Sequence, residues 1–481
     1  MIPAPSLLRR VSVAILLAFA TSCSVGPDYQ PPAVTTLPAA FREADARLDT
    51  QPADLASWWR RLDDPLLDRL VERAAMQSLD LEEALARVNE LRALRGATAA
   101  ELWPTVDVRA GYQRRVDSEN TPFGSFATSF DSHTAGIDAA WELDVWGRVQ
   151  RAIEASDADL EAEVETMRGV LISVIGEVAA NYVQLRSLQE RIVIATNNLA
   201  LQERTLALVQ ARHASGLVTE RDVAQARANV SATRARVPAL EIEARAAENR
   251  LAVLLGMAPG ALAAELAAAA PIPVPPVQVA VGVPSDVVRR RPDIRAAERL
   301  LAAETARIGV AEADLYPRLS LFGTFGFESD EAATLFDSNS FTMGVGPAIR
   351  WNVFDAGGVR NRIAAQDART QQALARWERT VLVAVEEVEN AMTGFLREQV
   401  RVAHLAEAAT QARRAAEIAS AQYTSGLTDF QNVVDFERAT AELEDQLTQS
   451  RALITNNLIA LYRALGGGWE QAPGSGAKNG E

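Results

Sequence analysis

The feature that most constrains this chain is an internal duplication. The segment Ala211–Gly256 recurs without a gap as Ala421–Gly466, 210 positions later. Both copies begin at the end of a long helical pattern, pass through a Ser-Gly-Leu turn and end at a glycine, a residue that often follows a helix. Asp80–Pro104 recurs in the same way as Asp293–Pro317, each ending in an aromatic residue and a proline. Because proline cannot continue a helix interior, each of these copies is predicted to be a helix that stops there.

Apolar and small residues recur every seven positions along the long helical patterns. The period runs from Val164 to Leu206 before the first turn and from Leu374 to Ala416 before the second. A period of seven over roughly 60 residues indicates coiled-coil seams, and such a helix is roughly 90 Å long. Each copy is therefore predicted to contain a long coiled-coil hairpin. A coiled-coil spacer would show the same heptads.

After each aromatic-Pro pair the apolar period changes to two. The alternation predicts one β-hairpin within 104–145 and a second within 317–354, whose last strand is expected to reach Val353. One face of each hairpin is apolar and the other is polar or small, as in an outer-membrane strand. The polar linkers Asp117–Ser129 and Glu328–Ser340 fit longer extracellular loops. Two soluble hairpins resting on a core are the alternative.

Four strands cannot close on themselves, and an open sheet edge in lipid leaves backbone groups without hydrogen bonds. Two copies would give about eight strands and a barrel filled by its own side chains, whereas three would give about twelve strands and a lumen. The pattern therefore predicts a mixed α and β membrane protein that oligomerises.

Composition narrows the possible functions. The chain of 481 residues has a formal net charge of -15 and no basic patch, which argues against nucleic acid as a partner. Its three histidines, His133, His213 and His404, lack metal-ligand spacing, and one cysteine cannot build a Cys-based metal site. No phosphate-binding loop or nucleophile–base pair is recognisable. The sequence therefore predicts no cofactor, no metal and no enzymatic activity.

The N-terminus has the pattern of an export signal. Two arginines precede the short apolar run Val11–Ala20, which predicts a signal peptide over 1–22. Ala20 to Cys23 matches a bacterial lipoprotein cleavage box, with Ala20 where leucine is usual. Diacylglyceryl and N-acyl groups are therefore expected on Cys23, although Ala20-x-Ser22 also suits the ordinary signal peptidase.

Three motifs and the two Ser-Gly-Leu turns form a specific combination: the motifs are Cys23–Tyr29, Trp141–Arg148 and Arg290–Glu298. Together they resemble the TolC/OprM outer-membrane factors, specifically the NodT-type efflux lipoproteins, over nearly the whole mature chain. The resemblance implies a homotrimer with a twelve-stranded outer-membrane β-barrel, an equatorial region and a long periplasmic α-helical barrel. It implies a passive exit channel for drugs or other toxic compounds, served by a periplasmic adaptor and an inner-membrane RND-type transporter. Ser24 after the cysteine implies the Gram-negative outer membrane.

The same resemblance implies roles for residues at the hairpin tips. Turn residues become candidates for contact with the adaptor, namely Gly216, Leu217, Gly426 and Leu427. The candidates for the closed periplasmic gate are Asp222, Asp435, Tyr423, Asn432 and Thr428. Asn432 and Thr428 depart from the family pattern, which has a second acid and a basic partner at these positions. The glycines would also be needed simply to make the turns.

The predicted organisation has six segments: signal peptide 1–22, lipid-anchored arm and first equatorial helix 23–79, first repeat 80–258, equatorial connection 259–291, second repeat 292–467 and disordered tail 468–481. The coiled-coil hairpins are expected at 148–256 and 358–466. Alternatives to efflux are the outer-membrane component of a type I secretion system and an exported structural coiled-coil protein. An envelope hydrolase is disfavoured because no catalytic site is recognisable.

Overall fold

The computed structural model describes residues 24–33, 37–43, 45–51, 55–118, 120 and 129–471. The predicted signal peptide, Cys23 and most of the first linker predicted to be extracellular lie outside these ranges. The described residues form two compact units, one within 24–33, 88–163 and 297–377, the other within 37–87, 164–296 and 378–471. Each unit contains segments of both sequence repeats. A repeat of the sequence is therefore not a compact unit of the fold, because corresponding segments of the two repeats pack together.

The helices of the two repeats match in length. In chain order they are α1 Pro65–Gln77, α2 Leu79–Ala100, α3 Arg148–Ala214, α4 Glu220–Leu254, α5 Ala263–Leu266, α6 Pro284–Arg290, α7 Pro292–Ala313, α8 Gly358–Thr424 and α9 Phe430–Ala464. The pairs α2 and α7, α3 and α8, and α4 and α9 have 22, 67 and 35 residues per member. At 1.5 Å per residue, α3 and α8 are each about 100 Å long. Within the described ranges, no helix is long and apolar enough to cross a membrane.

Heptad positions in the middle of the long helices are buried within the second compact unit. Leu171, Val178 and Leu185 line the seam of α3, and Val388 and Phe395 line that of α8. Close-packed apolar and small side chains at a seven-residue spacing are what holds such a hairpin together, because intrinsic helix propensity alone does not position one long helix against another.

The strands are β1 Leu48–Asp49, β2 Thr105–Val116, β3 Ser129–Leu143, β4 Val279–Ala280, β5 Arg318–Ser329 and β6 Phe341–Arg350. β1 and β4 form a short parallel pair, and the other four form an antiparallel sheet in the order β2-β3-β5-β6. The expectation that the last strand reaches Val353 is wrong. The chain leaves the sheet after Arg350 to begin α8, where the carboxylate of Asp355 accepts the N–H groups of Gly357 at 3.1 Å and Val359 at 2.6 Å.

The strand register separates the two faces of this sheet. Val108, Ile137, Phe325 and Met343 lie opposite one another in successive strands and share one face. Their side chains are exposed in the single chain. The other face carries most of the charged groups, including an ion pair between Arg109 and Asp138 at 3.2 Å, whereas Arg114 and Asp131 lie at the loop end of the apolar face. A continuous exposed apolar face of this kind indicates contact with an apolar environment or another subunit.

The predicted disordered tail is shorter than expected. Gly468 is buried and Trp469–Gln471 form a short 3-10 turn. The guanidinium of Arg168 lies 4.7 Å from the centre of the Trp469 ring, and that of Arg295 lies 5.7 Å from it. The expectation is wrong for 468–471 because the indole gains both apolar burial and two cation–π contacts. Residues 472–481 lie outside the described part of the chain.

Candidate functional site at the hairpin tips

The two Ser-Gly-Leu turns have the same backbone geometry. Gly216 has φ +71° and Gly426 has φ +74°, a left-handed conformation that glycine adopts without a Cβ penalty. The N–H of Gly216 donates to the carbonyl of His213 at 2.8 Å, and the N–H of Leu217 donates to that of Arg212 at 2.9 Å. Equivalent residues of the second turn make both bonds at 3.0 and 2.8 Å. Each turn is therefore a Schellman cap, which satisfies carbonyl groups at the end of the long helix.

The turn residues form an exposed surface. Leu217 is 73% exposed and Leu427 is 78% exposed. No described atom lies within 4 Å of the position that a Cβ would take on Gly216 or Gly426. All four predicted adaptor contacts therefore lie at the accessible end of a hairpin, where apolar side chains and open backbone are available to a partner.

Directly behind the turns the two hairpins share an apolar cluster. Its fully buried members come from both hairpins: Val209, Val223, Ala226, Ala419, Tyr423, Phe430, Val433 and Val434. The rings of Tyr423 and Phe430 lie 5.4 Å apart. The predicted gate residue Tyr423 is therefore part of the packing that joins the hairpins within one chain.

Arg212 connects the first hairpin to the last turn of α8. Its guanidinium donates to the carbonyl of Tyr423 at 2.8 Å and to that of Thr424, and it lies 4.7 Å from the centre of the Tyr423 ring. These carbonyls belong to the end of a helix, which carries partial negative charge. No motif in the sequence marks Arg212. The available clue was that the second repeat has Gln422 at the equivalent position.

Asp222 occupies the third position of α4. Its carboxylate accepts the N–H of Thr219 at 3.1 Å and the Thr219 hydroxyl at 3.0 Å. Burial on its own would raise the pKa of Asp222, but these bonds and the nearby Arg221 lower it below its ordinary value. The side chain is only 13% exposed. Asp222 therefore stabilises the first turn of α4 as an ionised group.

The remaining gate candidates lie at the accessible surface of the second tip, where Asn432 and Asp435 are exposed and Thr428 is half-buried. The side chain of Gln431 donates to both carboxylate oxygens of Asp435 at 2.9 Å, and it accepts a bond from Gln225 of α4 at 2.5 Å. Asn432 donates to the hydroxyl of Thr428 at 2.7 Å. Asp435 is therefore linked to the first hairpin through two glutamines, whereas Asn432 and Thr428 pair with each other.

Glu437 is a buried acid that the sequence analysis did not single out. It lies between the hairpins, where its carboxylate accepts the hydroxyl of Thr205 at 2.9 Å and the amide of Asn229 at 3.4 Å. Arg438 donates to the other end of that amide at 3.1 Å, which fixes its orientation. Burial raises the pKa of Glu437, and the bond from Thr205 opposes this effect. No motif in the sequence marks Glu437, because Thr205 and Asn229 come from the other hairpin.

The predicted lipidation site is covered only in part. Cys23 lies outside the described residues, but Ser24, which follows it, packs closely against Gly147.

Among the residues whose placement is described, no three His, Cys, Asp or Glu side chains are grouped so as to hold a metal ion.

Comparison with known proteins places both repeats in one family. The chain matches the family described as outer membrane efflux protein over residues 70–257 and 283–467. It is 32% identical over 448 residues to the pyoverdine export outer membrane protein OpmQ of Pseudomonas putida, spanning 92% of this chain and 94% of that protein. It is 28% identical over 456 residues to nodulation protein T of Rhizobium leguminosarum bv. trifolii, spanning 95% and 97%. The solved structure of the outer-membrane channel OprN superposes with a TM-score of 0.85 at 38% identity, covering 93% of this chain and 100% of that one.

Proposed function

Because the chain belongs to the outer membrane efflux protein family, we propose that three copies of it assemble into one exit channel. The protein is an efflux channel of the outer membrane. In the proposed assembly the four-stranded sheets close into a twelve-stranded barrel, and the helical hairpins form a second barrel that extends the bore into the periplasm. Compounds pass through passively, so the energy for export comes from another protein.

The sheet is the observation that carries this proposal. β2 and β6 form its two edges, and the apolar face is exposed along all four strands. In lipid, each unpaired backbone N–H or C=O group of an edge strand costs several kcal/mol. Several such groups together cost about as much as the whole free energy of unfolding of a small domain. Joining β6 of one copy to β2 of the next satisfies both edges. Twelve strands leave a lumen, whereas about eight would be filled by side chains.

The partners follow from the hairpin tips. A periplasmic adaptor, joined to an inner-membrane RND-type transporter, would contact the exposed turns at Gly216, Leu217, Gly426 and Leu427. Two features support this contact: the leucines are exposed, and the surroundings of both glycines are open. The proposed substrates are small molecules such as drugs or other toxic compounds.

The tips also form the proposed gate. Tyr423 and Arg212 hold the two hairpins of one chain together, and a partner that separates them would widen the opening. Three copies of Asp222 and Asp435 would concentrate negative potential in a narrow mouth and favour cations. Asn432 and Thr428 would serve this gate only by stabilising the second tip, because they bond to each other.

A lipid on Cys23 would anchor the chain in the outer membrane in addition to the barrel. Each buried CH2 of the acyl chains contributes about 0.8 kcal/mol. Because two acylated groups are expected there, the anchor alone is sufficient for stable membrane attachment.

The mass of the purified protein in detergent and its conductance in a planar bilayer test the proposal together. We expect the mass of three chains and a small, cation-preferring conductance that is mostly closed. A folded monomer, or a folded trimer that never inserts, would contradict it. Replacing Asp222 and Asp435 by asparagine should reduce the cation preference if these residues line the gate.

A further inference from the structure

The residues after the predicted lipidation site are held along their backbone in the first compact unit. The N–H of Val25 donates to the carbonyl of Trp146 at 3.1 Å. The guanidinium of Arg151 donates to the carbonyls of Val25 and Gly26, each at 3.1 Å, and to the carboxylate of Asp28 at 2.8 Å. The Arg151 side chain is only 6% exposed. A buried cation that uses three of its donors on one segment orders that segment strongly.

Two glycines bring this segment into direct contact with α7. A Cβ on Gly26 would lie 2.8 Å from the backbone nitrogen of Gly309, and a Cβ on Gly309 would lie 2.6 Å from the carbonyl oxygen of Val25. Neither position has room for a side chain. The equivalent glycine of the first repeat is Gly96 in α2, and no described atom lies within 4 Å of its Cβ position. The close approach is therefore specific to α7 and is not a requirement of the duplicated helix.

The far end of the segment is also held by α7. The hydroxyl of Tyr29 donates to Glu298 at 3.2 Å, and the guanidinium of Arg299 lies 5.4 Å from the centre of the tyrosine ring. The segment thus contacts the first repeat through Trp146 and the second repeat through α7. Contacts to both repeats make it part of the folded unit and not a free tether.

We propose that Ser24–Tyr29 is a docked strap that fixes the lipid anchor at one end of the β-sheet, with Arg151 and Gly309 as positioning residues. Trp146 follows the last residue of β3 by three positions, so the strap reaches the end of the sheet at which β2 and β5 begin. The anchor in this inference rests on the proposed lipidation of Cys23, whereas the docking does not.

Aromatic residues at this end of the sheet support the placement. The indole N–H of Trp146 donates to the carbonyl of Pro317 at 2.9 Å, and its ring stacks on Tyr316 at 4.7 Å. Trp141 and Trp351 make the same kind of bond to Leu102 and Leu315, at 2.9 and 3.0 Å. Tryptophan and tyrosine concentrate at the membrane–water interface. Acyl chains bonded beside Ser24 would therefore enter the membrane at the level where these aromatic residues place the interface.

Hydrogen exchange on the full mature protein, purified in detergent, tests the strap. Gly309→Ala should speed exchange of the Val25 amide, which donates to the Trp146 carbonyl, by roughly tenfold or more, because the methyl group displaces the segment. Gly96→Ala is the matched control, since it is the same change at the equivalent position of the other repeat, and it should leave the exchange of this amide unchanged. Equal exchange in the two variants would overturn the proposal.

Two further measurements separate the strap from the lipid. Arg151→Gln should also speed exchange of the strap while the melting temperature of the trimer changes little, which a purely structural role in the core would not allow. Mass spectrometry of the N-terminal peptide reports the lipid, and Cys23→Ser removes it. A protected Val25 amide in wild-type protein that carries no lipid would support docking and reject lipidation. Wild-type protein that carries lipid but has an unprotected Val25 amide would overturn the strap alone.

Discussion

The two hairpin tips close with the same glycine cap, yet the first presents polar side chains where the second presents aromatic ones. His213 and Glu220 of the first tip align with Tyr423 and Phe430 of the second. The imidazole of His213 lies 3.5 Å from the Glu220 carboxylate at the surface. The aromatic pair is instead buried between the hairpins. One backbone therefore supports two different kinds of contact.

This difference makes the tips complementary to each other. The second tip supplies an aromatic cluster and the carbonyl groups at the end of α8, and the first supplies Arg212, which covers the ring of Tyr423 and bonds to those carbonyls. Each partner of this contact is present in one copy only, because the second repeat has Gln422 at the position of Arg212 and the first has His213 at the position of Tyr423. The two copies share the backbone of the turn, and the side chains that differ between them make the contact.

The largest expected effect comes from blocking a turn. Gly426→Arg places a bulky cation on the exposed tip at a left-handed backbone position. We expect export to be lost, because the proposed adaptor could no longer contact the turn. Survival of a strain that depends on this channel, in the presence of an exported toxic compound, measures the loss. Gly216→Arg then asks whether both turns are needed.

The control for this experiment is Gly260→Arg. Gly260 also has a left-handed φ, +85°, and no described atom lies within 4 Å of its Cβ position. It therefore carries the same backbone strain at a place away from the tips. Outer-membrane fractions should contain all three variants. Normal export by Gly426→Arg would reject the docking role, and loss of export in the control would show that strain alone is responsible.

The next effect concerns packing. Tyr423→Ala removes a buried ring, which costs about 3–5 kcal/mol for a large aromatic side chain. His213→Ala, at the equivalent position, should change the free energy of tip opening by less than about 0.5 kcal/mol, because its side chain is 42% exposed and lies outside the buried cluster. Hydrogen exchange of the tip amides measures both. Similar costs at the two positions would show that the tips are equivalent after all.

Tyr423→Phe refines this test. In the part of the chain that the structure describes, the Tyr423 hydroxyl has no hydrogen-bond partner although it is buried. Removing an unsatisfied buried hydroxyl should be neutral or slightly stabilising. A clear loss of tip stability would instead indicate that the hydroxyl finds a partner in the assembled protein.

Much of the fold could be predicted from the sequence because it depends on periodicity. A seven-residue repeat and a two-residue alternation each specify one local geometry, so both long hairpins and all four long strands lie within the predicted ranges. The end of β6 was missed because it is set by Asp355, which begins α8. The order of Gly468–Gln471 was missed because Trp469 finds its partners, Arg168 and Arg295, far away in the chain.

The contacts between the tips were less accessible to sequence reasoning for the same physical reason. The turns follow from Gly216 and Gly426, whose role is local. Arg212 and Glu437 act across the hairpins, and neither has a motif, because a single arginine or glutamate on a helix is common. Their roles depend on which residue of the other hairpin lies opposite.

A smaller effect is expected from the link between the tips. Arg212→Gln introduces the residue that the second repeat has at this position and removes the cation above Tyr423. Buried carbonyls that lose their partners cost about 1–3 kcal/mol. Because Arg212 is partly exposed, we expect the free energy of tip closure to fall by less than this. We expect a higher open probability in planar bilayers with unchanged trimer mass. Arg212→Lys should restore part of the closure, and wild-type conductance in Arg212→Gln would remove the link from the gate.

The smallest effect distinguishes the hairpins by pH. The pKa of Asp222 is lowered, so its stabilising contribution is complete above the ordinary aspartate value and is lost as pH falls through the lowered value. The pKa of Glu437 is raised, so the folded state binds its proton more tightly than the unfolded state. Its contribution therefore favours folding below the ordinary glutamate value and declines as pH rises to the raised value.

The two acids thus give opposite slopes, and single substitutions should separate them. Asp222→Asn should lower the melting temperature at neutral pH, by the equivalent of about 0.3–1 kcal/mol, and have little effect in acid, because the helix-end charge is then already neutralised. Glu437→Gln keeps the shape and the acceptor for Thr205, so it should raise stability at neutral pH and flatten the pH profile. Melting curves of both variants and the wild type across the acid to neutral range measure the slopes. Parallel profiles for Glu437→Gln and wild type would mean that the carboxyl group is hydrated in the assembled channel, and the contrast between the hairpins would then rest on Arg212 and Tyr423 alone.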